Sequence, residues 1–327
     1  MANLNPYPFY KPLYYQIMTK KLYILLITSI CLIFTSCLSD SECGNNDTLR
    51  VSVVSDIVSS KLKTRSSKSG FSENDNIGLY MVDYKNSTPM PIGTISDFMN
   101  TEYTYDGTYW NSKDGEELYL TTEQTKADLY AYYPFDYEMS RAPGKTDLRA
   151  YPFSVESDQS LSSQKSDFLW AKYDELSNTN TIAKLTFRHI LSKVVLNVRY
   201  GNLGNGNESV TIHNLIKDTS IDMRTADISK ISTNTNYEIT PYLHDTANTG
   251  FDKTFSAIII PQLVETGTSL FTVTVNDQLF AFTLDSPLSF ESGMSYTFNL
   301  VIGEANARST QNSSIERKIS LVNKTSF

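Results

Sequence analysis

Short stretches of alternating apolar and polar residues recur along the chain from residue 49 onward, and turn-forming residues punctuate them. Alternation with period two sends successive side chains to opposite faces of a strand, and no window carries the 3.6-residue spacing of a long amphipathic helix. Leu49-Arg50-Val51-Ser52-Val53 alternates until Val54 interrupts it, Ile77 to Val82 reads as a buried strand, and Ala127 to Tyr133 reads as another, stopped by Pro134. Tyr103-Thr104-Tyr105 and Thr108-Tyr109-Trp110 flank Asp106-Gly107, a pair that tolerates positive φ and predicts a hairpin. Residues 138–171 look irregular, and the composition changes around Ser177-Asn178-Thr179-Asn180. Beyond that point the predicted strands are Ile182 to Phe187, Val194 to Tyr200, Val210 to Leu215, Phe255 to Ile260, Leu270 to Val275, Leu279 to Leu284 and Tyr296 to Ile302. Asn276-Asp277 joins two of these and places Phe271, Val273 and Val275 on one face. Many short strands at regular spacing predict an all-β chain built as a sandwich.

The N-terminus follows a different pattern. Met18, Thr19, Lys20 and Lys21 form a basic start, and the apolar run Leu22 to Phe34 is short for a membrane span, as expected of a secretory signal whose start is Met18. It ends Phe34-Thr35-Ser36-Cys37, which resembles the lipobox of bacterial lipoproteins with Phe34 at the usual leucine position, so Cys37 is expected to become the acylated first residue. Acylation would leave Cys43 as the single thiol of the mature chain, because Cys31 departs with the signal; the alternative is plain cleavage with a Cys37 to Cys43 bridge. The polar stretch Leu38 to Asp47 reads as a tether.

Charge narrows the partners. The formal net charge is -8, and loss of Lys11, Lys20 and Lys21 with the leader takes it to -11. A nucleic-acid binder needs clustered Lys and Arg to displace counterions, and here the basic residues are dispersed, so nucleic acid is excluded as a partner. With aromatic residues at 12% and hydrophobic residues at 40%, the chain has the material for a sizeable core.

Catalytic chemistry finds little support. His189, His213 and His244 are far apart in sequence, none in a metal-binding spacing, and each reads as structural. There is no G-x-S-x-G elbow, and the glycine-rich Gly201 to Gly206 precedes a strand where a phosphate loop would precede a helix. Asp114, Glu116 and Glu117 could imitate a glycosidase pair but read as solvated loop acids. Tyr130, Tyr132, Tyr133 and Phe135 could stack on a sugar, although strand aromatics of this kind usually pack inside. No cofactor is expected, and the chain reads as a non-enzyme.

Several short motifs occur in order: Ile77-Gly78-Leu79-Tyr80, Tyr130-Ala131-Tyr132-Tyr133-Pro134, Asp158-Gln159-Ser160, Ser166-Asp167-Phe168-Leu169-Trp170-Ala171, Leu185 to Lys193, Ala257 to Gln262, and Ser292-Gly293-Met294-Ser295-Tyr296-Thr297-Phe298. Together they cover nearly all of the mature chain, and the set resembles the fimbrillin family of lipoproteins, subunits of Bacteroides-type (type V) pili. The resemblance implies two transthyretin-like Greek-key β-sandwich domains, expected at 49–180 and 181–303. These follow a leader at 1–36 and an acylated tether at 37–48, and a C-terminal extension at 304–327 completes the chain.

The resemblance also implies palmitate-type lipidation at Cys37, an outer-membrane and fimbrial location, and partners that are other pilus subunits together with receptors on host or bacterial surfaces. In the family's scheme a trypsin-like protease cuts after an arginine behind the first strand, and the groove left by that strand accepts a donor strand from another subunit. Leu49 to Ile57 would be the removable strand and Arg65 the processing site, the alternative being an ordinary loop arginine. Ile315 to Val322 could extend as a donor strand with Ile315, Ile319 and Leu321 on one face. This tail departs from the tryptophan-containing strand common in the family, which leaves stalk, anchor and tip roles open. The competing reading is a monomeric glycan-binding surface lipoprotein with a firmly packed N-terminal strand.

Overall fold

The computed structural model describes residues 48–58, 70–92, 99–121, 126–140, 148–203, 208–230, 235–303 and 315–327. The leader, Cys37, the tether up to Asp47, and Arg65 lie outside the described residues. The described chain is all-β, and its helical turns are short 3₁₀ segments such as Gln164–Ser166. The strands expected beyond residue 180 form as Ile182–His189, Ser192–Arg199, Glu208–Leu215, Lys253–Ile259, Ser269–Val275, Gln278–Leu284 and Met294–Val301. Asn276 and Asp277 both take positive φ, at 49° and 64°, the two-residue turn that matches the right-handed twist of the strands it joins.

The first sheet runs in the order Ser52–Ile57, Ile182–His189, Leu169–Leu176, Ala127–Tyr133, Asn76–Lys85, Thr101–Tyr105, Trp110–Ser112. Ile182–His189, which the composition change places in the second half, is therefore hydrogen-bonded inside the first sheet, between strands on both sides of it. The sheet curls so far that its two ends meet, with Trp110 at one end donating its indole N–H to Ser55 Oγ at the other, 2.8 Å away. Inside the curl lie Val51, Val53, Phe71, Leu79, Met81, Leu129, Leu185 and Phe187. Phe71 meets Trp110, Tyr133 and Phe187 edge-on at centroid distances of 5.1, 5.6 and 5.1 Å.

The second half is a sandwich. One sheet runs Tyr242–Leu243, Lys253–Ile259, Ser192–Arg199, Met294–Val301, Asn323–Ser326. The other runs Tyr237–Ile239, Glu208–Leu215, Ser269–Val275, Gln278–Leu284, Ile315–Ile319, and Phe271 reaches across to Phe298 with centroids 4.9 Å apart. A small sheet of Tyr151–Ser154, Asp218–Asp222 and Asp227–Lys230 links residues distant in sequence.

Ala127–Tyr133 is buried along its whole length. A strand at the surface of a sandwich would bury alternate residues only. Here Leu129, Ala131 and Tyr133 face the core of the curled sheet, while Tyr130 and Tyr132, with Tyr80 and Val82 of the neighbouring strand, join the core of the second half. Phe168 stacks on Tyr132 in that second core, with centroids 5.8 Å apart.

Two of the sequence motifs have a polar explanation. Gln159 is fully buried and pairs with the backbone of Ile258: its Nε2 donates to the Ile258 carbonyl at 2.8 Å, and its Oε1 accepts from the Ile258 amide at 2.9 Å. Gln262 treats Ile216 similarly, accepting from the amide at 2.8 Å and donating to the carbonyl at 3.3 Å. Each side-chain amide stands in for a strand where the ladder is interrupted, which satisfies buried backbone groups that would otherwise be costly. Gly78 is set by close approach: a Cβ there would lie 2.1 Å from the Tyr132 ring and 2.6 Å from Asn100 Oδ1.

Candidate functional site at the terminal strands

The strands singled out for exchange lie near the two ends of the described chain, in different sheets. Near the N-terminal end, the predicted single strand is split at Val51. Thr48–Arg50 pairs antiparallel with Tyr119–Thr121, with Leu49 opposite Leu120 and 38% exposed. Ser52–Ile57 then pairs in parallel with Ile182–His189, from Ser52 opposite Ile182 to Ile57 opposite Phe187. The switch explains why the alternation read from Leu49 onward carries inward only at Val51 and Val53, which are buried beneath the sheet edge. Their burial stabilises the strand by about 2 kcal/mol apiece.

Polar contacts hold the same strand. The Ser52 amide donates to the Thr181 carbonyl at 2.9 Å and the Val58 amide to the Phe187 carbonyl at 2.8 Å. Arg50 and Glu117 form an exposed ion pair at 2.8 Å, which contributes little in water. Val54 and Val58 are exposed. The chain leaves the strand at Val58 and is described again from Gly70, whose Cα carries no side chain to crowd Ile57: a Cβ there would sit 3.1 Å from Ile57 Cδ1. Arg65 belongs to the intervening residues 59–69, so the cut expected there would sever the covalent link between the first strand and the chain that follows, leaving the strand held by its ladder to Ile182–His189 and by Val51 and Val53.

At the other end, the expected strand Ile315 to Val322 is found as Ile315–Ile319, paired in parallel with Gln278–Leu284 at the edge of one sheet of the sandwich. Ile319 is buried and Leu321 packs against the core. Arg317, on the same side of the alternation, is accommodated by laying its guanidinium over the Phe280 ring at 5.8 Å. The chain then crosses to the opposite sheet, where Asn323–Ser326 pairs antiparallel with Met294–Val301. Lys324 bridges Glu291 at 2.6 Å, and the Phe327 amide donates to the Gly293 carbonyl at 2.9 Å. Phe327 stacks on the His189 ring with centroids 3.8 Å apart, under Lys193 Nζ at 4.8 Å. In this chain the tail thus covers one edge of each sheet of its own sandwich. The strand Asn323–Ser326 is polar and exposed, and period-two reading offers no signal for it.

The remaining candidates separate. His189 Nδ1 lies 2.8 Å from Asp167, His244 Nε2 lies 2.8 Å from Ser256 Oγ, and His213 lies elsewhere, between Glu238 and Thr272. Asp114 and Glu116 are exposed in a loop, and Glu117 faces Arg50. Tyr130, Tyr132 and Tyr133 are buried in the two cores, with Phe135 partly buried beside them. Among the described residues no group of three or more His, Cys, Asp or Glu is placed to hold a metal ion, and no helix is long and apolar enough to cross a membrane.

Comparison with known proteins gives a consistent picture. A family model described as fimbrillin-like matches residues 64–317. No curated protein matches the chain. Among solved structures, one from Bacteroides ovatus ATCC 8483 superposes with a TM-score of 0.63 at 19% identity, covering 85% of this chain and 98% of its own. Another from Bacteroides uniformis ATCC 8492 superposes with a TM-score of 0.57 at 18% identity, covering 79% of this chain and 94% of its own. Both are described as a "putative cell adhesion protein". At these identities the likeness establishes a shared β-sandwich fold.

Proposed function

The chain belongs to the fimbrillin-like family, and from that premise we propose that it is a fimbrial subunit or pilus-associated adhesin that assembles by donor-strand exchange. In this reading the leader is removed, Cys37 is acylated, and the protein is held at the outer membrane before joining a fimbrium with other subunits. Stable anchoring takes more than one lipid chain, which a multiply acylated cysteine supplies. The adhesion role agrees with the description of its structural neighbours. Two sandwich domains are part of the same proposal, with the boundary moved from residue 180 to Ile190-Leu191, because Ile182–His189 ladders with the first sheet.

The observation that carries the proposal is the position of Ser52–Ile57. It is an edge strand in parallel pairing, it covers an aromatic-lined core with Val51 and Val53, and the residues that follow it include Arg65. Its removal would expose the ladder groups of Ile182–His189 and the apolar floor beneath, the two features that an incoming strand satisfies together. The tail Ile315–Ile319 is the donor in this reading, and to act as one it would leave the edge of Gln278–Leu284 that it covers in its own subunit.

Limited trypsin digestion of the purified mature protein, followed by mass spectrometry and size-exclusion chromatography, tests the reading. Clean cleavage near Arg65, within the stretch that also holds Lys61, Lys63 and Lys68, with ladder-like oligomers is the expected result. A product that is cut there and stays monomeric would remove strand exchange from the proposal, and an uncut strand would remove the processing step.

A further inference from the structure

Away from the terminal strands, the outer surface of the second sandwich holds a concavity of about 310 Å³ lined by His213, Asn214, Asn236, Glu238, Ser269 and Thr272. Every one of these side chains is polar. The site is shaped by two irregularities in neighbouring strands: the register of Glu208–Leu215 against Tyr237–Ile239 shifts between Ile212 and Leu215, and that of Ser269–Val275 against Gln278–Leu284 shifts between Ser269 and Phe271. Bulges re-aim side chains and are concentrated beside functional sites. Asn214 sits in the first with φ at 58°, and its Nδ2 donates to the Ser269 carbonyl in the second at 2.7 Å, so the two bulges are tied together.

Between these walls His213 is fixed at both ring nitrogens, Nδ1 at 3.0 Å from Glu238 Oε1 and Nε2 at 2.6 Å from Thr272 Oγ1. Hydroxyl, imidazole and carboxylate in a row are the parts of a hydrolytic triad. Thr272, however, lies in mid-ladder, opposite Thr211 on one side and Ala281 on the other, so its backbone amide is committed to the sheet and does not serve a developing oxyanion. The row instead presents fixed donors and acceptors. The Glu238 side chain, 66% exposed, opposes an anion, and one carboxylate with an imidazole falls short of the oxygen shell a hard cation requires. The lining is more polar than apolar, and beyond the His213 ring it carries no aromatic or aliphatic side chain for an apolar ligand to pack on. What remains is a small, neutral group with several hydroxyls, and the volume lies at the low end of ligand sites.

We propose that this concavity binds a single neutral sugar residue, with Glu238 and Thr272, held in place by His213 between them, hydrogen-bonding ring hydroxyls. The site is independent of strand exchange, since its residues lie outside both terminal strands, and the two readings fail separately. The test uses the full mature chain and a panel of methyl glycosides of glucose, galactose, mannose and N-acetylglucosamine, each at about 20 mM, a concentration that nearly fills a site with a Kd of about 1 mM. Saturation-transfer difference spectra report the sugar, and the ¹⁵N signals of the His213 imidazole report the site.

The expected result is that at least one glycoside receives saturation and shifts the His213 signals, with binding weakened about tenfold or more in Glu238→Gln and in Thr272→Val. Both substitutions nearly preserve shape and lie at the surface of the sheet, and thermal unfolding of each variant confirms that it folds. The proposal is overturned if no glycoside perturbs His213, if binding is unchanged in both variants, or if calcium chloride or inorganic phosphate shifts the His213 signals and the sugars do not.

Discussion

The indole N–H of Trp110 and the hydroxyl of Ser55 meet at 2.8 Å, although Trp110–Ser112 and Ser52–Ile57 occupy opposite ends of the first sheet. This bond closes the curl, so the first strand is held by its ladder with Ile182–His189 on one side and is tied to Trp110 on the other. Trp110→Phe keeps an aromatic ring against Phe71 and removes the donor. The expected cost is about 1 kcal/mol of stability. Amide exchange of Ser52 to Val58 should accelerate while that of Ala127 to Tyr133 stays slow, as followed by hydrogen–deuterium exchange mass spectrometry.

Gly78→Ala brings a methyl group into the space of the Tyr132 ring, whose hydroxyl is fixed to Asn100 Oδ1 at 2.6 Å and cannot yield freely. A loss of about 3 kcal/mol is expected from denaturant unfolding. Adding Tyr132→Leu to the same chain should recover part of what the alanine alone loses, because the clash with the ring is removed and the one with Asn100 Oδ1 stays.

Gln159→Met retains length and much of the volume but leaves the amide and carbonyl of Ile258 buried without the bonds they make at 2.9 and 2.8 Å. An effect of about 3 kcal/mol is expected. A change below about 0.5 kcal/mol in chemical denaturation would show that the glutamine is not needed to satisfy that strand.

Stability should decline in alkali. Burial pushes up the phenols of Tyr80, Tyr103, Tyr130, Tyr132, Tyr133, Tyr151 and Tyr200. Burial and then the bond to Asp128 raise Tyr84 to about 12. A group whose pKa is higher when folded contributes its full stability below the unfolded value, about 10 for tyrosine, and loses that contribution as pH climbs toward the folded value. Absorbance at 295 nm should therefore show these phenols ionising together with unfolding above about pH 10, and a gradual titration of all tyrosines in the folded protein would contradict this.

Cys37→Ala should abolish acylation and release soluble precursor. Retention of that variant in the membrane fraction with the mobility of the wild type would sink the lipid-anchor reading.

Ser269–Val275 in the second sandwich was legible because it buries Phe271, Val273 and Val275 as the alternation requires, and the Asn276-Asp277 turn fixes its neighbour. Ala127–Tyr133 was legible as a strand but not as one covered on both sides, since the second covering comes from residues far along the chain. Tyr151–Ser154 was hidden within an irregular-looking stretch; Pro152 disrupts its pattern, and its partner is Asp218–Asp222. Parallel pairing of Ser52–Ile57 with Ile182–His189 has no local signature at all, and for that reason the composition change near residue 180 is a poor guide to which sheet a strand joins. In the polar concavity, His213 was visible only as an isolated histidine, because the bulges that bring Glu238 and Thr272 to it are cross-strand features.

One strand near each end of the described chain pairs in parallel with an inner strand, Ser52–Ile57 with Ile182–His189 and Ile315–Ile319 with Gln278–Leu284. Tension applied along such a strand from its free end loads the inter-strand bonds side by side, in shear, whereas tension across it would peel them one at a time. A filament whose joints kept this geometry would share a pull among all the bonds of each joint, so its resistance to rupture would rise with the length of the exchanged strand.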